Sequence, residues 1–329
     1  MNGETPNTYH RERLEANEPD YREVTKYVDS RLNTERVHGH YYNYAQSLEQ
    51  RGDIELSDHQ NQKLQDRLSR LYRPLDVRYE ELNHKRILEK RSEDAYKLVF
   101  TYFGSNEAWF GDNSIVLQVS DAEDQFRGID SFLEISARPE QPDHLGIDFT
   151  TSAKPEILEG KLTKGLDRLQ NLRTQELIGK IRYNNEFVAA DSFPIVLALG
   201  AKNTDKLIHQ VAEEIKKIPE NPLHKISQDE YPEKVGITGL EGGRESKIPF
   251  IMNFIQQITA QLELYKMELG AKPVSERQNY LLERLNTLLK YFSFLQNAYE
   301  SHYDFVPLYD RSSEALISIV NTKVASQSL

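Results

Sequence analysis

Two short segments, Gly128-Ile-Asp130 and Gly146-Ile-Asp148, each put an aspartate on the polar face of a predicted strand. Mg2+ and Mn2+ prefer hard oxygen ligands, and two carboxylates from neighbouring strands can hold one such ion while leaving positions for water and a phosphate oxygen. Asp130 and Asp148 are therefore the candidate metal ligands. Thr150 and Glu134 share their polar parity, and Glu123 and Asp124 lie just before the first of these strands. Lys161 and Lys164 begin the next helix, within reach of the strand end. A lysine there can orient or help deprotonate an attacking water and offset charge developing on phosphate. The plainer alternative is that both Gly-Ile-Asp segments are solvated strand ends whose tight turns glycine permits.

Other chemistries find less support. The chain has no cysteine, which removes disulfides, thiolate zinc sites, iron-sulfur clusters and cysteine nucleophiles together. No Gly-x-Ser-x-Gly elbow, His-Glu-x-x-His helix or calcium-loop spacing occurs. His38 and His40 lack further ligands at a fixed spacing and read as surface or packing residues. The glycines from Gly236 to Gly243 precede a helix and offer backbone amides to phosphate, yet the Lys-Ser/Thr ending of a P-loop is missing, so a linker is the better reading. Arg67, Arg70, Arg73 and Arg78, interleaved with Tyr72 and Tyr79, form a basic stripe that suits either a salt-bridged helix face or a nucleic-acid backbone.

The elements that must position the aspartates follow from periodicity. Ile115–Val119 is a short β-branched run, Gly128–Ser136 alternates in polarity, and Leu145–Thr151 alternates again after a proline-bearing loop over 137–143. Pro155 then opens a helix with Leu158, Leu162, Leu166, Leu169 and Leu172 on one stripe. Phe193–Gly200 reads as a buried strand and Asp205–Lys217 as the helix after it. Upstream, Tyr21, Val24, Val28 and Leu32 recur at helical spacing, Ser57 to Pro74 suggests a helical hairpin, and a second long helix is expected from Asp76 to about Phe103. Downstream, helices are expected over Lys247–Leu269 and Ser275–Tyr299 as an antiparallel pair, followed after Val306 by an extended or short-strand tail. The fold class is α/β of the α+β kind, a small mixed sheet flanked by helices in mid-chain with helical extensions at both ends. The division is 1–75 as an N-terminal helical arm, 76–218 as the core, 219–246 as a linker and 247–329 as a C-terminal helical hairpin with its tail.

With 329 residues, 38% of them hydrophobic and 28% charged, the chain has material for a real core and a polar surface. Its longest apolar run, Phe193–Leu199, is far short of the roughly 18 residues a membrane span needs, and Met1–Asp20 contains no apolar block of a secretory signal. A cytoplasmic, non-membrane protein is the expectation. The net charge of −11 is concentrated between Arg91 and Thr150, where four basic residues face twelve carboxylates. Such a block repels phosphate unless a cation sits in it, or it is simply a solvated acidic surface.

Taken from about Arg78 to Gly200, the order helix, strand with an aspartate, hairpin strand with a second acid, helix, buried strand resembles the PD-(D/E)XK nuclease superfamily. In that resemblance Asp130 matches the first acid and Asp148 the second. The lysine expected two residues after the second acid is Thr150, and no proline precedes Asp130. Some members place the lysine on the following helix, which makes Lys161 or Lys164 its substitute, and a glutamate of the first helix is met by Glu80, Glu81 or Glu89. The resemblance implies a Mg2+- or Mn2+-dependent phosphodiesterase acting on DNA or RNA, with nucleic acid as partner. The competing expectation is a non-catalytic interaction or assembly protein with a degenerate core, self-associating through the Leu281, Leu285 and Leu288 stripe of its C-terminal helices.

Overall fold

The computed structural model describes residues 6–34, 84–118, 129–136, 142–173, 180–183, 186–189, 192–217, 243–270 and 275–327. In chain order the first elements are α1 (Pro6–Thr34) and α2 (His84–Leu98), the latter running through a π-helical turn (Val99–Phe103) into a short helix (Gly104–Asn106). The strands β1 (Ser114–Gln118), β2 (Ser131–Ile135) and β3 (Asp143–Thr150) follow, then α3 (Pro155–Arg173), the hairpin β4 (Lys180–Tyr183) and β5 (Glu186–Ala189), and β6 (Ser192–Ala198). Four helices complete the order: α4 (Ala201–Ile215), α5 (Gly243–Gly270), α6 (Glu276–His302) and α7 (Arg311–Gln327). The readings on His38, His40, Ser57 to Pro74, the arginine stripe, Glu80, Glu81, Glu123, Asp124 and the segment 236–242 lie outside the described residues, as do the boundaries at 75 and 218.

Alternating polarity makes β1, β2 and β3 an antiparallel meander, with Leu133 opposite Val116 on one side and Leu145 on the other. β6 adds parallel to β3, with Ile147 opposite Ile195, so the order is β1-β2-β3-β6. A parallel neighbour requires a crossover, and α3 supplies it. This is the mixed sheet in mid-chain that the patterning implies, flanked by helices and with helical regions before and after it. Among the described residues no helix is long and apolar enough to cross a membrane.

One buried apolar cluster draws on both ends of the chain. Tyr21, Val24 and Val28 of α1, Leu158, Leu162 and Leu169 of α3, and Ile251, Ile255 and Ile258 of α5 all belong to it. α1 is further fixed to α4 by Asp205, which accepts hydrogen bonds from Arg13 (2.6 Å) and from the Tyr21 hydroxyl (2.6 Å). Leu281, Leu285 and Leu288 are fully buried in the same cluster, so the stripe expected to mediate self-association is committed inside the chain.

Two sequence expectations need correction. The segment after Val306 is not an extended tail throughout: from Arg311 it forms α7, whose N-terminus is capped by Asp310 Oδ1 accepting from the amides of Ser312 (3.0 Å) and Ser313 (2.9 Å). Leu316 and Val320, four residues apart, give it a buried face. α4 begins at Ala201, before the expected Asp205, and the β4–β5 hairpin was not anticipated at all.

β6 lies at one end of the sheet and would expose a row of backbone groups. α5 closes that edge with side chains. Gln261 Oε1 accepts from the Val196 amide (2.9 Å) while Gln261 Nε2 donates to the Val196 carbonyl (2.7 Å). One helical turn earlier, Gln257 does the same for Ala198 at 2.7 and 2.9 Å. One turn later, the Tyr265 hydroxyl donates to the carbonyl of Pro194, a residue with no amide to satisfy. The i, i+4, i+8 spacing on α5 thus matches alternate residues of the strand. Replacing Gln261 by leucine orphans two buried backbone groups and is expected to destabilise the fold by about 2–4 kcal/mol, whereas the exposed neighbour Gln256→Leu should change it by less than about 0.5 kcal/mol. Urea denaturation of the two variants checks this.

Candidate functional site

The end of the β2–β3 ladder brings the two aspartates near each other. The pairing of β2 with β3 ends at Ser131 and Ile147, and the Asp130 amide donates to that same Ile147 carbonyl (2.6 Å), one residue out of step with the ladder. Asp130 thus lies just beyond the last paired residues, and its side chain reaches β3 beside Asp148, where Oδ2 accepts the amide of the next residue, Phe149 (2.7 Å). The two carboxylates sense each other: burial is the main cause that raises the Asp148 pKa above the ordinary aspartate range, and the charge of Asp130 adds to it. Lys161 and Arg168 oppose that rise.

Each carboxylate has an ammonium partner. Lys161, on the second turn of α3, bonds Asp148 Oδ1 and also donates to the Phe149 carbonyl (3.2 Å). Lys164, one turn further along, is exposed and joins neither aspartate among the described residues. Asp130 Oδ2 accepts the Phe149 amide (2.7 Å), which fixes the side chain to the strand, and Asp130 Oδ1 faces Lys97 Nζ at 2.6 Å. Lys97 comes from the last turn of α2 and also pairs with Glu93 at 3.3 Å. Sequence reasoning missed it. The available signal was that Lys97 is one of only four basic residues within the acidic block and sits at i+4 from an acid on a predicted helix.

The remaining candidates are placed elsewhere. Glu134, at the far end of the same face, is paired with His144 on the neighbouring strand (2.9 Å), with Phe132 and Gly146 between it and the aspartates. Thr150 Oγ1 accepts the Ser152 amide (3.2 Å) in the turn that leads into α3. Glu89 reaches His10 on α1 (3.2 Å), so the acid of α2 linked to the pair through a shared lysine is Glu93.

One feature of this donor set leaves room for a divalent ion. The second oxygen of Asp148, Oδ2, has no hydrogen-bond partner among the described residues, and the side chain is partly open to solvent. The Tyr96 hydroxyl is buried without a hydrogen-bond partner among the described residues, and the charges of Asp310 and Asp130 add to burial in raising its pKa.

A second group of candidate ligand atoms, from Asp20 of α1 and His209 and Glu213 of α4, lies within 4.8 Å. Lys216 already contacts both of its carboxylates, at 3.5 and 2.7 Å, and the group has the form of a surface ion-pair cluster joining two helices. No protein-family model, curated protein or solved structure matches the chain.

Proposed function

We propose that the chain is a Mg2+- or Mn2+-dependent phosphodiesterase of the PD-(D/E)XK kind that acts on DNA or RNA. The observation that carries this reading is the approach of Asp130 to Asp148 at the end of the β2–β3 ladder, where the charge of the first adds to the raised pKa of the second, together with a helix-borne lysine, Lys161, bonded to the second acid where the strand itself offers Thr150. A helix, a three-stranded meander, a crossover helix and a parallel fourth strand, in that order, support it.

In this reading Asp130 and Asp148 hold the ion. A bound Mg2+ or Mn2+ supplies Lewis acidity toward phosphate and a more acidic water. Lys161 orients the attacking water and offsets charge on the phosphate. The Phe149 amide keeps Asp130 from turning away, and the Phe149 carbonyl does the same for Lys161. The test is cleavage of labelled single- and double-stranded DNA and RNA with Mn2+ or Mg2+, compared with EDTA. Metal-dependent cleavage that disappears in Asp130→Ala, with the circular dichroism of the fold retained, is expected; cleavage unaffected by that change rejects the assignment.

One observation favours a second reading, a non-catalytic interaction protein with a degenerate core. Both carboxylates already carry ammonium partners, so the pairs Asp130–Lys97 and Asp148–Lys161 can serve as structural ties. That reading expects no cleavage with any metal, and stability loss as the only consequence of Asp130→Ala.

A further inference from the structure

Lys97 has no role in the phosphodiesterase reading, although it is the cation held against Asp130. Its position is informative because the two oxygens of Asp130 are not equivalent. Oδ2 is committed to the Phe149 amide, on the backbone of β3. Oδ1 is the oxygen through which Asp130 can serve an ion, and Lys97 Nζ stands 2.6 Å from it. A divalent ion on the same oxygen would lie within a few ångströms of that ammonium, in a place where Asp130 is only 9% and Lys97 only 19% exposed. Repulsion there is weakly screened, so both cations cannot share the oxygen.

The lysine has a second seat. Glu93 lies one helical turn back on α2, 3.3 Å from Nζ in the same conformation, and its side chain is half exposed. A rotation of the flexible lysine stem is enough to exchange one carboxylate for the other. The metal-free site has its own need for such a cation: two neighbouring, partly buried carboxylates repel each other unless each has a counter-charge. Lys161 neutralises one and Lys97 the other.

We infer that Lys97 is a tethered competitor for the metal position, holding Asp130 in the metal-free protein and moving to Glu93 when a divalent ion binds. It thereby sets the metal concentration at which the site fills, and keeps the aspartate pair in place below that concentration. The inference rests on the phosphodiesterase reading to the extent that Asp130 and Asp148 are its metal ligands.

Two measurements on the whole chain test it. In the first, free Mn2+ is counted by electron paramagnetic resonance for wild type, Lys97→Met and Lys164→Met. Lys97→Met should bind Mn2+ about tenfold more tightly or better, since one competing charge has gone, and Lys164→Met should match wild type. The second uses wild type alone and so does not depend on a variant folding. Reductive methylation followed by mass spectrometry should show Lys97 more reactive with saturating Mg2+ than without it, against the exposed Lys164 as reference. Mn2+ binding by Lys97→Met alone would also support the inference, as competition strong enough to keep the wild-type site empty. Binding by wild type that is lost in Asp148→Asn, with Lys97 reactivity unchanged and no gain in Lys97→Met, overturns the inference and leaves the phosphodiesterase reading standing. Absence of Mn2+ binding in both wild type and Lys97→Met overturns both.

Discussion

Asp148→Asn is expected to reduce metal-dependent cleavage by about 10³-fold, because an amide cannot replace a carboxylate in holding an ion worth several kcal/mol to the transition state. The fold should survive. Asparagine keeps the shape of the side chain, and Lys161, partly exposed, retains its bond to the Phe149 carbonyl. The pH dependence of stability gives the same variant a second signature. Burial raises the folded-state pKa of Asp148 above the ordinary aspartate value, so the folded chain binds this proton more tightly than the unfolded chain. The corresponding contribution to stability is present in full below the unfolded pKa and is lost as pH rises through the raised folded value. Asp148→Asn abolishes that dependence. Relative to wild type, the variant should therefore become more stable as pH increases through the window that opens near the ordinary aspartate value. Thermal denaturation at a series of pH values and cleavage assays at neutral pH measure the two effects separately. Loss of cleavage without the pH signature would mean that Asp148 is less buried than its surroundings imply.

How much of this was legible in the sequence depends on whether the deciding interaction is local. β2 and β3 declare themselves, since Leu133 and Ile135 alternate with Phe132 and Glu134, and the shared parity of Asp130 and Asp148 follows from period two alone. That they come close to each other does not follow, because sliding β3 by two residues preserves the alternation and separates the carboxylates. The leucine stripe of α3 was readable, and with it the approach of Lys161, but choosing between Lys161 and Lys164 required knowing which part of the helix lies over the strand end. Lys97 was hidden by sequence distance, as its partner lies 33 positions away on another element. The acidic middle of the chain misled for the same reason: Asp148, Asp143 and Glu107 take their counter-charges from Lys161, Arg284 and Lys247, all beyond residue 150. Buried cations from the flank thus neutralise carboxylates that a local count leaves as excess charge. α7, in contrast, was legible and missed, with Asp310 as N-cap, Glu314 in the first turn, and Leu316 and Val320 on one face.

The same long-range neutralisation makes Arg284→Met the most damaging single change expected in the core, at about 3–5 kcal/mol. Arg284 Nε donates to Asp143 Oδ1 at 2.6 Å, with both side chains almost entirely removed from solvent. The guanidinium also stands over the rings of Phe193, 5.3 Å from its centroid, and Tyr280, at 5.6 Å. The pair ties the first residue of β3 to the third turn of α6, so it anchors the strand that carries Asp148 near its other end. Methionine fills much of the arginine's apolar volume but leaves the Asp143 carboxylate buried without this partner, and that residual charge, rather than lost packing, is the larger part of the cost. Removing both charges together discriminates between the two causes. Asp143→Leu combined with Arg284→Met removes both charges of this pair, and it should recover most of the stability lost by Arg284→Met alone in urea denaturation. A double variant as unstable as the single one would instead place the cost in the cation–ring stacking and in the close packing of α6 against the sheet.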